Sequence, residues 1–144
     1  MTKLSFEPEY FTSETDGIEI TAIPVYLSEK SDPVNNKYYW AYHITIENNS
    51  DEEIQIISRD LNIIGENGEK LVDAGIGFDC EQPILEPGEC FEYETDTIIY
   101  SPSAHITGSY KIYSTEAKYK EIKIPSFMIE SGRDLDVSED YLLN

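Results

Sequence analysis

Residues Lys37–Glu47 read KYYWAYHITIE, and this segment carries the clearest structural signal in the chain. Successive side chains of a β-strand point to opposite faces of its sheet, so the alternation predicts a strand. Its inner face would carry Tyr38, Trp40, Tyr42, Ile44 and Ile46. Burying each such side chain contributes on the order of 1.5–3 kcal/mol before conformational entropy is subtracted. We therefore expect this strand to lie at the centre of one sheet.

The preceding segment alternates too, but the phase of its apolar residues changes from Ile18, Ile20 and Ala22 to Ile23, Val25 and Leu27. Pro24 lies beside this change. Proline cannot donate a hydrogen bond to a central ladder. The pattern therefore predicts a β-bulge in an edge strand.

The segments that follow also predict strands. Residues 54–63 alternate with one slip at Ile57, and Glu66–Glu69 contains the Asn-Gly pair that favours a type I′ hairpin turn. Residues 91–99 combine an apolar face with an acidic one, and two more strands are expected at 107–114 and 118–124. No segment predicts a helix. Seven to eight short strands separated by turns predict an all-β fold, an antiparallel β-sandwich of the immunoglobulin or fibronectin type III kind.

The run Asp73–Glu89 (DAGIGFDCEQPILEPGE) reads as neither strand nor helix. Gly75 and Gly77 allow backbone conformations that other residues avoid, and the prolines that follow exclude a continuous helix. We expect a shaped loop here, in the middle of a sandwich domain at residues 17–129. An N-terminal extension at 1–16 and an acidic C-terminal tail at 130–144 would flank that domain.

The charge of the chain limits its partners. Its 144 residues suit a single domain, and 29 acidic against 10 basic residues leave a net charge of -19. Nucleic-acid binding depends on basic side chains that displace counterions from phosphates, so nucleic acid and anionic membranes are excluded as partners. A negative field of this size keeps a protein soluble and suits a basic protein partner.

The compartment is expected to be the cytoplasm. No apolar run is long enough to cross a membrane, and the N-terminal sequence lacks the apolar region of a secretory signal. Cys80 and Cys90 are the two cysteines, and a chain of this size folds without disulfides, so we expect free thiols.

Several separate motifs together resemble the ApaG domain family. They are YYWAYHITIEN at 38–48, QIISR at 55–59, GIGFDCEQP at 75–83, LEPGECFEY at 85–93, GSY at 108–110 and IPSF at 124–127. The similarity covers residues 17–129, and the motifs occur in the family's order. Any one of them alone would be weak.

The resemblance implies a fibronectin type III-like sandwich without established catalytic residues. In bacteria the family is associated with cobalt tolerance and magnesium efflux. Similar domains in eukaryotic F-box proteins and a polymerase-delta-interacting protein imply contact with other proteins. This chain departs from the family twice: Cys80 stands where Gly-x-Gly-x-x-Gly usually has its third glycine after Gly75 and Gly77, and Asp60-Leu61 follow Arg59 where an aromatic is usual.

The motifs do not predict a cofactor or a reaction. A pyrophosphate loop needs a following helix, whereas Glu81-Gln82-Pro83 follow here, and no Lys or Arg occurs between Lys70 and Lys111. No serine-nucleophile motif is present, and the cysteines and histidines lack metal-binding spacing. The plausible carboxylate set for a hard cation is Asp73, Asp79 and Glu81.

We therefore expect a non-enzymatic domain that contacts another protein through the central loop or an adjacent sheet face. The edges of a sandwich can accept an extended peptide as an added strand. The expected contact residues are Gly75, Gly77, Phe78, Cys80, Gln82 and Pro83. The alternative is a protein that responds to a small ligand or divalent cation in cobalt or magnesium homeostasis.

Overall fold

The computed structural model describes residues 9–131. Regular structure in this part of the chain consists of ten β-strands and one turn of 3-10 helix, Pro33–Asn35. The strands are β1 (Phe11–Thr15), β2 (Ile18–Tyr26), β3 (Tyr38–Asn48), β4 (Ile54–Gly65), β5 (Lys70–Ile76), β6 (Ile84–Leu85), β7 (Cys90–Ile99), β8 (Ser103–Ser114), β9 (Lys118–Lys123) and β10 (Phe127–Glu130).

Two antiparallel sheets form a β-sandwich, which confirms the predicted fold class. The first sheet has the order β1-β2-β3-β7 and the second the order β10-β8-β4-β5, with β6 paired to β4 and β9 paired to β8. The structure has more strands than the sequence pattern predicts because β6 and β10 are too short to show alternation and β1 lies in the segment expected as an extension. The apolar inner faces of the two sheets make one core.

The strand predicted at residues 37–47 lies inside the first sheet, between β2 and β7. All five residues of its predicted inner face are buried, and Ile46 is fully inaccessible. In β4, the pairing with β8 shifts register between Ile56 and Ser58, so the bulge expected at Ile57 is confirmed. On β7, the acidic residues lie on the exposed face as expected.

The bulge expected near Pro24 is wrong. β2 pairs with β3 without a register shift from Ile18 opposite Asn48 to Tyr26 opposite Trp40. The Tyr26 side chain points to the inner face of the sheet, and its ring centroid lies 5.2 Å from that of Trp40. Val25 is exposed on the outer face. The end of β2 that contains Pro24 is nevertheless an edge. β1 pairs with β2 only as far as Ala22, so Pro24 has no paired neighbour on that side.

The sandwich begins before residue 17. β1 pairs with β2, and the Phe11 ring stacks on Phe127 at a centroid distance of 4.7 Å. At the C-terminal end of the described residues, Ser131 is buried and its hydroxyl donates a hydrogen bond to the Pro102 carbonyl. The remaining parts of the predicted extension and acidic tail, residues 1–8 and 132–144, lie outside the described residues.

The run predicted as one long loop from Asp73 to Glu89 contains regular structure. β5 continues to Ile76, and β6 pairs with the beginning of β4. The hairpin between β4 and β5 is present, but Gly68 is the residue of its Glu66–Glu69 turn with a positive φ. A type I′ turn needs two such residues, so that expectation is wrong. The actual central loop spans residues 77–83.

Candidate functional site

The central loop is a tight hairpin at one end of the second sheet. The Glu81 N–H donates to the Phe78 carbonyl at 2.9 Å, and the Phe78 N–H donates to the Glu81 carbonyl at 2.8 Å. Asp79 and Cys80, between them, both have positive φ, +52° and +70°. This is the type I′ geometry, and it leaves the loop tip, residues 79–81, exposed to solvent.

Gly77 is required by this geometry. Its φ is +50°, and a Cβ at this position would lie 1.9 Å from the Glu81 carbonyl oxygen. Its N–H donates to the Ile57 carbonyl at 2.9 Å, at the bulge of β4. The chain can therefore turn away from β5 at this point only with a residue that lacks a side chain.

Phe78 anchors the loop in the core. Only 2% of its surface is exposed, and its ring packs against Phe91, Tyr93 and Tyr110 at centroid distances of 5.0, 4.6 and 5.3 Å. Phe91 and Tyr93 belong to the first sheet, whereas Tyr110 belongs to the second. Phe78 therefore joins the two sheets at the end of the sandwich that carries the loop.

Polar contacts hold the other side of the loop. The Gln82 side chain donates to the Ile57 carbonyl at 3.0 Å, and the Gln55 side chain donates to the Gln82 carbonyl at 3.2 Å. The Ile56 N–H donates to the Pro83 carbonyl at 3.0 Å. The loop thus supplies hydrogen-bond partners for the N–H of Ile56 and the C=O of Ile57, which lie at the bulge, outside the ladder with β5.

A charged network lies beneath the glycines on the inner side of β4 and β5. The Arg59 guanidinium donates to the Asp73 carboxylate at 3.0 Å and to the Gly77 carbonyl at 2.7 Å. The Tyr42 hydroxyl donates to the second carboxylate oxygen of Asp73 at 3.0 Å. Gly75 leaves room for the guanidinium, since a Cβ there would lie 3.3 Å from Nη1. The network links both sheets to the loop.

Burial and this carboxylate change the acidity of nearby groups. Burial raises the pKa of the Tyr42 phenol, and the negative charge of Asp73 raises it further. The pKa of Tyr110 is raised by the same two causes in the same order. Burial lowers the pKa of Arg59, but Asp73 raises it, and the net result is a higher pKa. The Tyr110 hydroxyl has no hydrogen-bond partner among the described residues.

Raising the pH above the ordinary tyrosine pKa of about 10 is expected to destabilise the protein. In this range the unfolded chain releases the phenol protons of Tyr42 and Tyr110 while the folded state retains them, so stability falls as pH rises. The free energy of unfolding should decrease by about 1.4 kcal/mol per pH unit for each of these tyrosines. Urea unfolding at pH 8 to 11 measures this slope, and Tyr110→Phe should reduce it. An unchanged slope in Tyr110→Phe would contradict the assignment.

Known proteins have sequences similar to this one. The profile of the ApaG domain family matches residues 28–114. Protein ApaG of Brucella canis is 36% identical over 120 residues, which are 83% of this chain and 92% of that protein. Protein ApaG of Rhodospirillum centenum is 35% identical over 84% of this chain and 93% of its own length. The chain belongs to the ApaG domain family.

Solved structures of other proteins share the fold of this ApaG domain. A Bordetella pertussis protein described as ApaA has a TM-score of 0.75 at 29% identity, covering 78% of this chain and 92% of that one. The C-terminal domain of wzt, with a TM-score of 0.51 at 12% identity, covers 87% of this chain and 79% of its own and shows the shared fold alone.

Cys80, at the position where the resemblance implied a third glycine, has a φ of +70°, which lies in the left-handed region that favours glycine. Side chains with a Cβ are disfavoured in this left-handed region by roughly 1–2 kcal/mol. Glycine also has more conformational freedom to lose on folding, which offsets part of that gain.

Replacing Cys80 with glycine is expected to stabilise this ApaG domain by up to about 1 kcal/mol. The exposed thiol makes no disulfide, so the substitution removes no covalent link. Urea unfolding of Cys80→Gly against wild type measures the effect. Cys90→Gly is the control, because Cys90 is exposed but has an ordinary negative φ, and it should lose stability.

The structure separates the expected contact residues into two groups. Gly77 and Phe78 are buried and support the loop, so they cannot form a contact surface. Cys80 and Gln82 are exposed, and Gly75 and Pro83 are half-buried. Asp79 and Glu81 are exposed at the loop tip and belong to the accessible surface. The sequence indicated these two residues only as metal ligands.

The alternative metal set does not assemble. Within residues 9–131, no group of three His, Cys, Asp or Glu side chains is placed to hold an ion. Asp73 points to the inner side, where Arg59 and Tyr42 occupy its oxygens, whereas Asp79 and Glu81 lie at the exposed loop tip. The partners of Asp73 thus hold its carboxylate away from a shared ion site with Asp79 and Glu81.

The histidines make single polar contacts on the surface. His43 Nε2 lies 2.9 Å from a carboxylate oxygen of Glu92. His105 belongs to β8, which begins before the strand expected at 107–114, and its Nε2 lies 2.7 Å from the Ser126 hydroxyl. No helix in the described part of the chain has the length and hydropathy that a membrane span needs.

Proposed function

We propose that this ApaG domain is a non-catalytic protein-interaction module whose loop tip contacts the partner. The observation that carries the proposal is the separation of anchors from exposed groups within one loop. Phe78 and Gln82 fix the backbone, while Asp79, Cys80 and Glu81 remain accessible. A surface ordered before binding loses little conformational entropy on association.

Charge selects the kind of partner. The two exposed loop-tip carboxylates, Asp79 and Glu81, take no part in the ion pairs of the described residues. The whole chain has a net charge of -19. Complementary charges on two proteins speed their association, and like charges disfavour contact. The partner surface is therefore basic.

Affinity capture from cell lysate with quantitative mass spectrometry tests this role. Asp79→Asn with Glu81→Gln removes two charges from the loop tip. Glu66→Gln with Glu69→Gln removes two exposed charges at the opposite end of β5 and serves as the matched control. We expect a captured protein that the first variant loses and the control retains. Equal capture by all three proteins would overturn the role of the loop tip.

A cation-responsive role is the competing function, and the same proteins can test it. A ligand that binds only the folded state raises the melting temperature with its concentration. If magnesium or cobalt raised the melting temperature of wild type, while sodium at equal ionic strength did not, the competing function would be supported. We expect no such selective shift, because Arg59 and Tyr42 occupy the Asp73 carboxylate and the three expected ligands do not gather around one point.

A further inference from the structure

β5 is an edge strand whose outer main-chain groups face solvent. Its paired neighbour is β4, on one side. The Gly77 N–H donates to the Ile57 carbonyl, and the Gly65 N–H donates to the Glu69 carbonyl, so residues opposite each other at both ends of this hairpin are hydrogen-bonded pairs. In an antiparallel ladder such pairs alternate with non-bonded ones. The N–H and C=O groups of Val72, Ala74 and Ile76 therefore point away from β4, and of these the Ile76 carbonyl accepts from the Cys80 N–H at 3.2 Å.

The same three residues present an apolar outer surface, here called the β5 edge. Val72 and Ile76 are 59% and 58% exposed, and Ala74 between them is exposed as well. Asp73 lies among them in sequence, but its side chain points inward to Arg59. No residue of the β5 edge is charged, and the protective charge on this face of the strand is limited to the exposed Lys70 at its first position.

Other edge strands in the described part of the chain are protected or short. β6 has two residues and β10 has four, although Ile84 and Met128 are exposed on them. β7 carries exposed Glu92, Glu94 and Asp96 on its outer face, and β9 contains Lys118, Lys120 and Lys123. β1 is short, with Glu14 exposed, and its Ser13 hydroxyl donates to the Lys123 carbonyl. Among these edges, the β5 edge has the longest uncharged stretch of exposed strand and is therefore the most favourable place for an added strand.

The charges around the β5 edge identify the occupant. Asp60, exposed, lies opposite Ala74 in the β4 ladder, and the exposed Asp79 and Glu81 follow the end of the strand. None of these three belongs to an ion pair of the described residues. A second copy would bring the same carboxylates and another net charge of -19 to the interface. A basic segment would instead neutralise them.

We propose that the β5 edge binds an extended segment of another protein by β-strand addition, with apolar side chains alternating with Lys or Arg. This inference rests on the proposed function and specifies its partner. Main-chain hydrogen bonds to Val72, Ala74 and the Ile76 N–H would hold the added strand. The apolar side chains would pack beside Val72, Ala74 and Ile76 on the exposed face of β5. The cationic side chains would point to the opposite face of the added strand and meet the negative field of the chain and its loop-tip carboxylates.

Calorimetry with the peptide acetyl-KVKIKVK-amide tests the mechanism. Two comparison peptides separate its components: one has every Lys replaced by Glu, and the other carries N-methyl groups on alternate amides. The first reverses charge and the second blocks main-chain hydrogen bonds while keeping the side chains. We expect binding of the lysine peptide and a loss of about tenfold or more for each comparison peptide.

Variants of the protein locate the site. Ala74→Pro removes an N–H that points to solvent, a position where edge strands tolerate proline. Val72→Lys adds charge on the outer face and remains informative if the proline variant does not fold. Each should weaken the lysine peptide by about tenfold or more. Val25→Lys, at an exposed valine of the first sheet, is the control and should bind like wild type.

Each contrary result has a definite meaning. Absence of binding to folded wild type, equal binding of the N-methylated peptide, or equal binding by Ala74→Pro and Val72→Lys would overturn strand addition. A homodimer in sedimentation that Val72→Lys dissociates would overturn the basic occupant in favour of a second copy. If the lysate partner needs Asp79 and Glu81 but is retained by Val72→Lys, this inference fails while the proposed function stands.

Discussion

Phe78→Ala is expected to lower the free energy of unfolding by about 3–5 kcal/mol, as truncation of a fully buried aromatic usually does. The Phe78 ring contacts three aromatic rings from both sheets, so its loss leaves a cavity where the sheets meet. The loop also loses its only core anchor among residues 77–83, since Gly77 has no side chain and the others are exposed or half-buried. Urea unfolding measured by tyrosine and tryptophan fluorescence gives the difference.

Tyr119→Ala is the control for this experiment. Tyr119 is also aromatic, but it is 64% exposed and pairs with one ring, that of Tyr113, at 5.0 Å. Its replacement should cost about 1 kcal/mol or less. Similar losses for the two variants would show that Phe78 is not the anchor that joins the sheets.

Gly77→Ala is expected to destabilise the protein by about 3–5 kcal/mol, or to prevent folding. Two effects add: alanine is disfavoured at a φ of +50°, and its Cβ would lie 1.9 Å from the Glu81 carbonyl oxygen. The turn can relieve that overlap only by breaking the hydrogen bonds between Phe78 and Glu81. Chemical unfolding and the yield of soluble protein are the measurements.

Gly68→Ala separates the two effects. Gly68 has a φ of +87°, but nothing lies within 4 Å of the position where its Cβ would be. Only the backbone term applies, and we expect a loss of about 1–2 kcal/mol. If Gly77→Ala lost no more stability than Gly68→Ala, the close approach of Glu81 would have no energetic consequence, and the turn would be more adaptable than its geometry indicates.

Long alternating segments could be predicted from the sequence because burial follows their period. The inner face of β3 and the bulge at Ile57 are examples, since each placed large apolar side chains in a pattern that only one face could bury. The bulge predicted beside Pro24 was wrong because an exposed apolar residue was read as part of the inner face. The outward Val25 imitates a phase change, while the inner position is filled by Tyr26 packing on Trp40.

The charged network at the loop could not be predicted because it depends on register. With the two-residue turn expected at Asn67-Gly68, Arg59 would pair with Ile76, whereas the observed turn places it opposite Gly75. A shift of one residue moves every side chain to the other face. Arg59 and Asp73 meet on the inner side only in the observed register, and the sequence contains no signal that distinguishes the two turns.

The turn at Asp79-Cys80 shows a second limit. Its two positive φ values are typical of Asn-Gly, and a cysteine gives no local indication of that geometry. The similarity to Gly-x-Gly-x-x-Gly was the available signal, and the structure shows that the last position of the motif serves a turn. Contacts distant in sequence, from Phe78 and Gln82, hold Cys80 in a conformation that its own chemistry disfavours.

The division of the central loop into anchors and exposed positions has a consequence for how such domains can diversify. Gly77, Phe78 and Gln82 maintain the backbone, so substitutions at residues 79–81 can change the chemistry presented to a neighbour without remodelling the sandwich. One scaffold can in this way acquire new recognition preferences through a few surface changes, much as variable loops do on other β-sandwiches.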